Sequence, residues 1–288
     1  PRRQLTVPLN GSPLPNNPTP SYLGVKLDRQ LTFKYHLESL KAKVSSRNNL
    51  LRRLAGSSWG ANTSTLRTGA LALVYSAAEY AAPAWCRSAH TRKLDTTLND
   101  TMRLITGCLR ATPSEHLPVL AGIAPAALRR EHLTHSLESR HPLHNLVQTS
   151  TPARQRLPSH RPFSRHATTL SSSNFNLLEA WTTRWQETQP PAQFTVQPNT
   201  SMPPGAELAR REWVTLNRLR TGVGRFSHNM KRWGLRPSAA CSCGHPDQTA
   251  HHVIHDCPTL SPPESTNINL TNPNLDTVNW LRRLNQIA

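Results

Sequence analysis

Apolar side chains recur every three or four positions over long stretches of the first half of the chain, which predicts amphipathic helices. The first helix is expected to follow Thr32 as its N-cap and to end at Gly56, because glycine commonly terminates a helix. One face of this helix is apolar and the opposite face is basic. The apolar positions are Leu37, Leu40, Val44, Leu51 and Leu54.

A second helix is predicted over residues 62–83, where apolar and small side chains repeat at helical spacing. Either Thr63 or Ser64 can act as its N-cap, since both carry a hydroxyl that can accept a backbone hydrogen bond. Pro83 is expected to end it, because proline lacks the amide hydrogen that continues a helix. The small residues along this helix would allow close packing against its neighbours.

A third helix is predicted over residues 90–107, with Gly107 at its C-terminal cap position. Shorter helices are expected over 114–122 and 124–140, and a short strand is expected over 22–27. The first half of the chain is therefore predicted to be a helical module preceded by a small amount of β-structure.

The hydrophobic pattern weakens in the second half, where proline, serine and threonine become frequent. The fold class expected for the whole chain is mainly α. The expected segments are an extended lead-in (1–20), a helical module (21–140), a flexible linker with one short helix (141–205), a basic arm with a Cys- and His-rich loop (206–258) and a polar tail with a terminal helix (259–288).

The net charge of the chain indicates the kind of partner that it binds. Lys and Arg outnumber Asp and Glu by 34 to 16, so the net charge is +18. An excess of this size favours a polyanionic partner, most often nucleic acid, although a solvated cationic surface is the alternative. No apolar run is long enough to span a bilayer, so no membrane role is expected. The chain does not begin with Met, and we expect it to be an internal piece of a longer reading frame.

Three of the five cysteines lie in CSCGHPDQTAHHVIHDCP, residues 241–258. An odd count with such clustering favours metal binding in a reducing compartment over a disulfide framework. Zinc binds thiolate sulfur and imidazole nitrogen tetrahedrally, and Cys241, Cys243, one histidine and Cys257 supply four such ligands. Four protein ligands leave no open position, so the zinc would be structural. Gly244 supplies the backbone freedom that a tight turn between sulfur ligands needs.

The identity of the histidine ligand stays open on chemistry alone. His251, His252 and His255 all lie close enough to Cys257 in the sequence. His251 and His255 are four positions apart on one helix face, so a rival site would combine them with Cys241 and Cys243 and leave Cys257 spare. A cluster of reduced cysteines and exposed histidines without metal is the remaining alternative.

A basic segment precedes the Cys- and His-rich loop. Aromatic rings among cations suit single-stranded nucleic acid, which combines base stacking with phosphate neutralisation. Trp213, by contrast, is predicted to form a buried stripe with Leu216 and Leu219. The residues expected to contact nucleic acid in this segment are Arg210, Arg211, Arg218, Arg220, Arg225, Phe226, Lys231, Arg232 and Trp233.

The run WVTLNRLRTGVGR, the later WGL, and then CSCG, QT and HVIHDCP resemble the C-terminal end of polyproteins from jockey-like non-long-terminal-repeat (non-LTR) retrotransposons. SYLGVKLDRQLTFKYHLESLKAKV is similar to the segment of their reverse transcriptases where the thumb begins. The resemblance covers residues 21–137 and 203–258. It implies a thumb-like helical module and a zinc knuckle whose histidine is His252, alongside Cys241, Cys243 and Cys257.

The same resemblance implies RNA and DNA as partners, together with the upstream part of the polyprotein, inside the cell in the nucleus or cytoplasm. In that setting the basic face of the first helix would follow the phosphates of a template–primer duplex. The residues of this face are Lys41, Lys43, Arg47, Arg52 and Arg53.

Polymerase activity is not expected of this chain alone. The reaction needs carboxylates that hold two metal ions, and the sequence contains no Asp-Asp dipeptide of the kind that the palm of these enzymes carries. Magnesium is therefore expected only in the parent polymerase. The expected role is binding, either as part of a reverse transcriptase or, alternatively, as a stand-alone nucleic-acid-binding protein derived from a decayed element. An enzyme with a site that the motifs do not reveal is a further alternative.

Overall fold

The computed structural model describes residues 7–56, 59–140 and 175–284, and it is mainly helical, as predicted. Two short antiparallel hairpins come first, β1 (Pro8–Leu9) with β2 (Ser12–Pro13) and β3 (Ser21–Tyr22) with β4 (Val25–Lys26). The helices before residue 141 are α1 (Lys34–Arg52), α2 (Thr63–Gly69), α3 (Ser76–Ala78), α4 (Ala82–Trp85), α5 (Thr91–Thr106), α6 (His116–Ala121) and α7 (Ala126–Arg140). The helices after residue 174 are α8 (Leu177–Gln186), α9 (Arg210–Thr221), α10 (Ser227–Arg232) and α11 (Leu275–Arg283). Two π-helical segments, Ala70–Tyr75 and His252–Asp256, complete the helical structure of the described residues.

The first helix forms close to its predicted position, with different ends. α1 begins at Lys34, after Phe33 in a left-handed conformation (φ 57°), so the predicted N-cap at Thr32 lies one residue too early. Thr32 is instead held by Asp28, whose carboxylate accepts from the Thr32 amide at 3.0 Å. The helix ends at Arg52, and Leu54 is half exposed instead of joining the buried stripe.

The predicted helix over residues 62–83 is divided. Its N-cap is Asn62, whose side chain accepts from the Thr65 amide, so the position lies one residue before the predicted Thr63. The π-helical segment Ala70–Tyr75 links α2 to α3. Pro83 does not end this helix but lies within the first turn of α4, where its missing amide hydrogen removes no helical bond.

The third predicted helix agrees with the structure at its C-terminus. α5 ends at Thr106, and Gly107 adopts the left-handed conformation (φ 72°) expected of a C-terminal cap. Gly107 also allows a close approach, because a Cβ atom there would lie 2.2 Å from a methyl carbon of Val214. No larger residue could occupy this position without moving α9.

One hydrophobic core is built mainly by α1, α4, α5 and α6, with Trp85 fully buried. Its members also include Trp181, Trp185 and Phe194, which lie in and after α8. The prediction of a flexible linker over residues 141–205 is therefore wrong for the part from residue 175, because aromatic side chains of that part pack into this core. The rest of that predicted linker, 141–174, lies outside the described residues.

A second core lies toward the C-terminus and is centred on α9. Trp213, Leu216 and Leu219 are buried there, as their spacing predicted. The predicted terminal helix is α11, and its Trp280 and Leu281 pack into the same core.

The two cores meet where α9 lies across the C-terminal end of α5. Arg210 donates to the carbonyls of Ile105 at 2.5 Å and Leu104 at 2.7 Å. The indole of Trp213 donates to Ile105 as well, at 3.2 Å. The amide of Asn217 donates to Thr106 at 3.0 Å. The last turn of a helix leaves its carbonyls without intrahelical partners, and the side chains of α9 supply partners for those of α5.

A further arginine of α9 binds the segments that surround the second core. Arg220 is completely buried and donates to the carbonyls of Pro204 at 2.9 Å, Leu270 at 2.8 Å and Thr271 at 3.0 Å. Its guanidinium also lies over the ring of Trp213, 5.8 Å from the ring centroid. Arg220 therefore ties two irregular stretches of chain to one helix.

We expect Trp185→Ala to lower the free energy of unfolding by about 3–5 kcal/mol, because a buried indole is replaced by a cavity. Leu178→Ala on the same helix is the control, since Leu178 is 41% exposed and should change stability far less. Urea denaturation followed by circular dichroism measures both. Equal effects of the two substitutions would contradict the packing of α8 into the core.

We expect Arg210→Ala to cost about 2–4 kcal/mol, because buried carbonyls of α5 lose charged donors. Arg211→Ala is the matched control, because Arg211 is the exposed neighbour on the same helix and should change stability by under about 0.5 kcal/mol. Chemical denaturation of the two variants in parallel measures both changes. An Arg210→Ala variant as stable as the unmodified chain would contradict the contacts between the two cores.

Candidate metal centre and nucleic-acid interface

The first two candidate sulfur ligands, Cys241 and Cys243, lie on a tight turn. The amide of Gly244 donates to the carbonyl of Cys241 at 3.1 Å, and the Cys241 amide donates to the carbonyl of His245 at 2.9 Å. Gly244 has φ 95°, in the left-handed region that glycine tolerates, as its role in the turn required. The turn brings Cys243 to the same side as Cys241.

The other two candidate ligands come from a π-helical turn, His252–Asp256. The Cys257 amide donates to the carbonyl of His252, five residues back, at 2.8 Å. A wider turn than the α-helix therefore carries His252 and Cys257 at its two ends. His252 and Cys257 are both buried, so this turn faces the interior of the loop.

The ligand atoms of Cys241, Cys243, His252 and Cys257 all lie within 4.8 Å of one another. The sulfurs of Cys241 and Cys257 are 3.7 Å apart, and the sulfur of Cys243 is 3.3 Å from Nε2 of His252. Zinc bond lengths of about 2.3 Å to sulfur and 2.0 Å to nitrogen imply tetrahedral separations of about 3.8 Å and 3.5 Å. The donor set and its spacing therefore fit one tetrahedrally bound metal ion.

Two of these residues have lowered pKa values, which favour the deprotonated forms that bind a metal ion. Burial tends to raise the pKa of Cys257, but hydrogen bonds from Thr259 and from the Leu260 amide outweigh it and lower the pKa to about 7. Burial, helped by the nearby ring of His245, lowers the pKa of His252. A thiolate and a neutral imidazole are the forms that bind metal, and both are favoured here.

The neighbouring polar contacts include one that motif spacing did not reveal. Gln248 directs its Nε2 to the sulfur of Cys241 at 3.5 Å, while its Oε1 accepts from the amide and the hydroxyl of Ser227, each at 2.9 Å. Gln248 thus links the metal centre to the start of α10. The QT pair was visible in the sequence as part of the resemblance, but its contacts could not be derived from spacing.

The rival histidines lie outside the cluster. His251 has a side chain that is 72% exposed and pairs with Asp256, and the exposed His255 packs beside His251 with ring centroids 4.7 Å apart. His245 stacks on His252 at 4.2 Å but is exposed. The geometry therefore groups the ligand set that the resemblance implied, and it does not group the set that uses His251 and His255.

Most of the cations predicted to bind nucleic acid are accessible. On α1, Lys41, Lys43 and Arg52 are exposed, as is Arg53 directly after the helix, whereas Arg47 is partly covered and donates to the carbonyl of Leu73. In the basic segment before the Cys- and His-rich loop, the exposed basic residues from the predicted set are Arg211, Arg225, Lys231 and Arg232, and Trp233 is partly exposed.

Four residues of that set are buried, which corrects the sequence-based assignment. Arg210, Arg218 and Arg220 are at most 7% exposed, and Phe226 is 1% exposed within the second core. The three guanidiniums bind backbone carbonyls, among them Gly107 at 3.3 Å from Nε of Arg218. A clustered arginine run indicated phosphate partners, but the last turn of α5 and the loops around Arg220 use these donors instead.

Four protein ligands would leave a metal ion in this cluster no open position for water or substrate. Within the part of the chain that the structure describes, no helix is long and apolar enough to cross a membrane.

Curated proteins from type-1 retrotransposable elements are similar to this mainly helical chain with its Cys₃His cluster. A 115 kDa protein in the type-1 retrotransposable element R1DM of Drosophila melanogaster is 26% identical over 268 residues, which are 89% of this chain and 25% of that protein. The retrovirus-related Pol polyprotein from the type-1 retrotransposable element R1 of Bradysia coprophila is 23% identical over 269 residues, 88% of this chain and 25% of that polyprotein.

The homologues of this chain are therefore R1 non-LTR retrotransposon polyproteins, which confirms the resemblance to proteins of non-LTR elements. The chain spans about a quarter of the length of these curated relatives. No family model matches it, and no solved structure matches it.

We expect His252→Ala to weaken zinc binding by more than about 100-fold, because loss of a direct ligand should exceed the 10–100-fold cost of losing an outer-shell partner. His251→Ala and His255→Ala are matched controls and should retain one zinc per chain. Competition against a chromophoric chelator, with zinc counted by elemental analysis, measures the effect. Zinc loss in His255→Ala together with full zinc in Cys257→Ser would instead support the rival ligand set.

Proposed function

We propose that this chain is the nucleic-acid-binding C-terminal part of a non-LTR retrotransposon reverse transcriptase. The observation that carries the proposal is the similarity to R1 element polyproteins over 88–89% of the chain. The name of one relative describes a Pol polyprotein, and the net charge of +18 favours a polyanionic partner. The partners would be RNA and DNA inside the cell, in the nucleus or cytoplasm, together with the upstream polyprotein.

The metal of the Cys₃His cluster is proposed to be zinc. Three thiolates and one imidazole are a donor set that selects zinc over the hard cations magnesium and calcium, which prefer oxygen. Cys241, Cys243, His252 and Cys257 would hold the ion, and the zinc would supply folding free energy to a loop that has few apolar residues of its own.

We assign the chain no bond-making step. Polymerisation requires carboxylates that position magnesium against the primer and the incoming nucleotide, and the sequence has no Asp-Asp dipeptide. Among the described residues, the group found to be capable of holding a metal contains sulfur and nitrogen ligands alone. Magnesium would therefore act in the parent polymerase, upstream of this segment.

The exposed cations form two groups that could bind the phosphates of nucleic acid. One lies on α1, with Lys41, Lys43 and Arg52, and includes Arg53 directly after the helix. The other surrounds α10 and includes Arg225, Lys231 and Arg232. Lys41 and Arg52 lie about three helical turns apart on the same side of α1, which suits phosphates that follow one another along a template–primer duplex.

We expect the logarithm of the affinity for an RNA–DNA duplex to fall linearly and steeply with the logarithm of the salt concentration, because bound phosphates release counterions. Filter binding between about 50 and 200 mM salt measures the slope. The paired substitution Lys41→Ala and Arg52→Ala should reduce the slope by about 1.8, roughly 0.9 for each phosphate that is no longer neutralised.

The control removes the same charge elsewhere, by Lys26→Ala with Arg29→Ala beside β4, and should leave the slope close to that of the unmodified chain. A flat salt response of the unmodified chain would overturn the proposed function. Equal slopes for both paired variants would overturn the assignment of the α1 face alone.

A further inference from the structure

An open groove of about 610 Å³ lies between the loop that follows α5 and the end of α10. Its walls come from both parts of the chain, because Leu109 and Arg110 lie on one side and Arg225, Met230, Trp233 and Leu235 on the other. Leu235 is 65% exposed and Trp233 is partly exposed, so an apolar surface with an indole faces solvent.

Both walls are held in place by backbone contacts. On the α5 side, Arg103 donates to the carbonyls of Arg110 at 3.4 Å and Thr112 at 3.3 Å, which orders the loop. On the α10 side, Gly234 takes a left-handed conformation (φ 74°), and the Leu235 amide donates to the carbonyl of Met230 at 2.8 Å. The chain reversal at Gly234 leaves Trp233 and Leu235 on the groove.

The groove is cationic as well as apolar. Arg110 and Arg225 are both exposed, and among the described residues no acidic side chain lines the groove. A third cation, Arg218, lies close by. Burial lowers its pKa to about 10, and the nearby charge of Arg225 contributes to this lowering. Like charges gathered beside an accessible indole complement a ligand that is flat and apolar in one part and anionic in another.

We propose that this groove binds single-stranded nucleic acid, with an unpaired base stacked on Trp233 and the flanking phosphates bound by Arg110 and Arg225. A duplex cannot use the groove in this way, because its bases are already stacked and paired. The inference rests on the proposed nucleic-acid-binding function and adds to it a strand preference and a position. It also makes the two cores joint contributors to one binding site.

The decisive experiment compares Trp233→Ala with the unmodified full chain on a 20-nucleotide oligouridine and on a duplex of the same length. We expect Trp233→Ala to weaken binding of the single strand by about 5- to 150-fold, the range for losing one base–aromatic stack. Duplex affinity should stay within about twofold, because the α1 cations are unchanged. Trp233→Phe should restore most of the single-strand affinity, since a phenyl ring can still stack.

Charge and aromatic controls separate the groove from general effects. Arg110→Ala and Arg225→Ala should each reduce the single-strand salt slope by about 0.7, whereas Arg29→Ala should leave it unchanged. Trp59→Ala removes another exposed indole, 67% accessible, and should have no effect on single-strand affinity. Circular dichroism and zinc content check that each variant is folded.

The outcomes distinguish this inference from the function on which it rests. Salt-dependent binding by the unmodified chain, with Trp233→Ala and Trp233→Phe both unaffected on the single strand, would overturn the groove and leave the proposed function standing. Failure of the unmodified chain to bind either nucleic acid would overturn both. If Trp233→Ala is unfolded, photocrosslinking of the unmodified chain to a 5-bromouridine oligonucleotide decides, with a crosslink at Trp233 expected and its absence contradicting the proposal.

Discussion

The C-terminal turn of α5 is buried beneath α9, where the two cores of the structure meet. A helix leaves its last carbonyls without partners, and burying them without donors would cost free energy for each group. α9 meets this requirement with Arg210, Trp213 and Asn217, whose donors reach the carbonyls of residues 104–106. Positive guanidinium groups at the negative end of a helix dipole add a favourable electrostatic contribution.

The three buried arginines of α9 remain charged. Burial lowers the pKa of Arg210, Arg218 and Arg220 to about 10 each, which still leaves them protonated at neutral pH. Each guanidinium has several donors, and their carbonyl partners offset part of the desolvation cost. The position of α9 in turn fixes α10 and the metal centre. Asn229 of α10 donates to the carbonyls of Gly222 and Gly224, and Gln248 connects α10 to Cys241 of the metal centre.

Local features of the fold could be predicted from the sequence, and long-range polar contacts could not. The end of α5 at Gly107 and the buried stripe of Trp213, Leu216 and Leu219 follow from periodicity and capping, which act over a few residues. The burial of Arg210 depends on the backbone carbonyls of Ile105 and Leu104, which lie 105 and 106 positions earlier in the chain. Every residue has a backbone carbonyl, so no residue type marks these two as its partners. The aromatic residues in and after α8 were the available sign that a proline-rich stretch packs against a core. The clustering of cysteine and histidine indicated a metal site that includes Cys241 and Cys243, whereas the choice of His252 with Cys257 followed from the resemblance.

The three buried arginines of α9 hold the fold, and the exposed cations are the ones proposed to bind nucleic acid. Phenylglyoxal modification of the native chain, mapped by mass spectrometry, distinguishes the two groups. We expect Arg110 and Arg225 to react in the free chain and to be protected by a saturating single-stranded oligonucleotide. Arg210, Arg218 and Arg220 should react only after denaturation. Reaction of these three in the native chain at the rate of Arg225, with protection by the oligonucleotide, would instead show that they are accessible and bind nucleic acid.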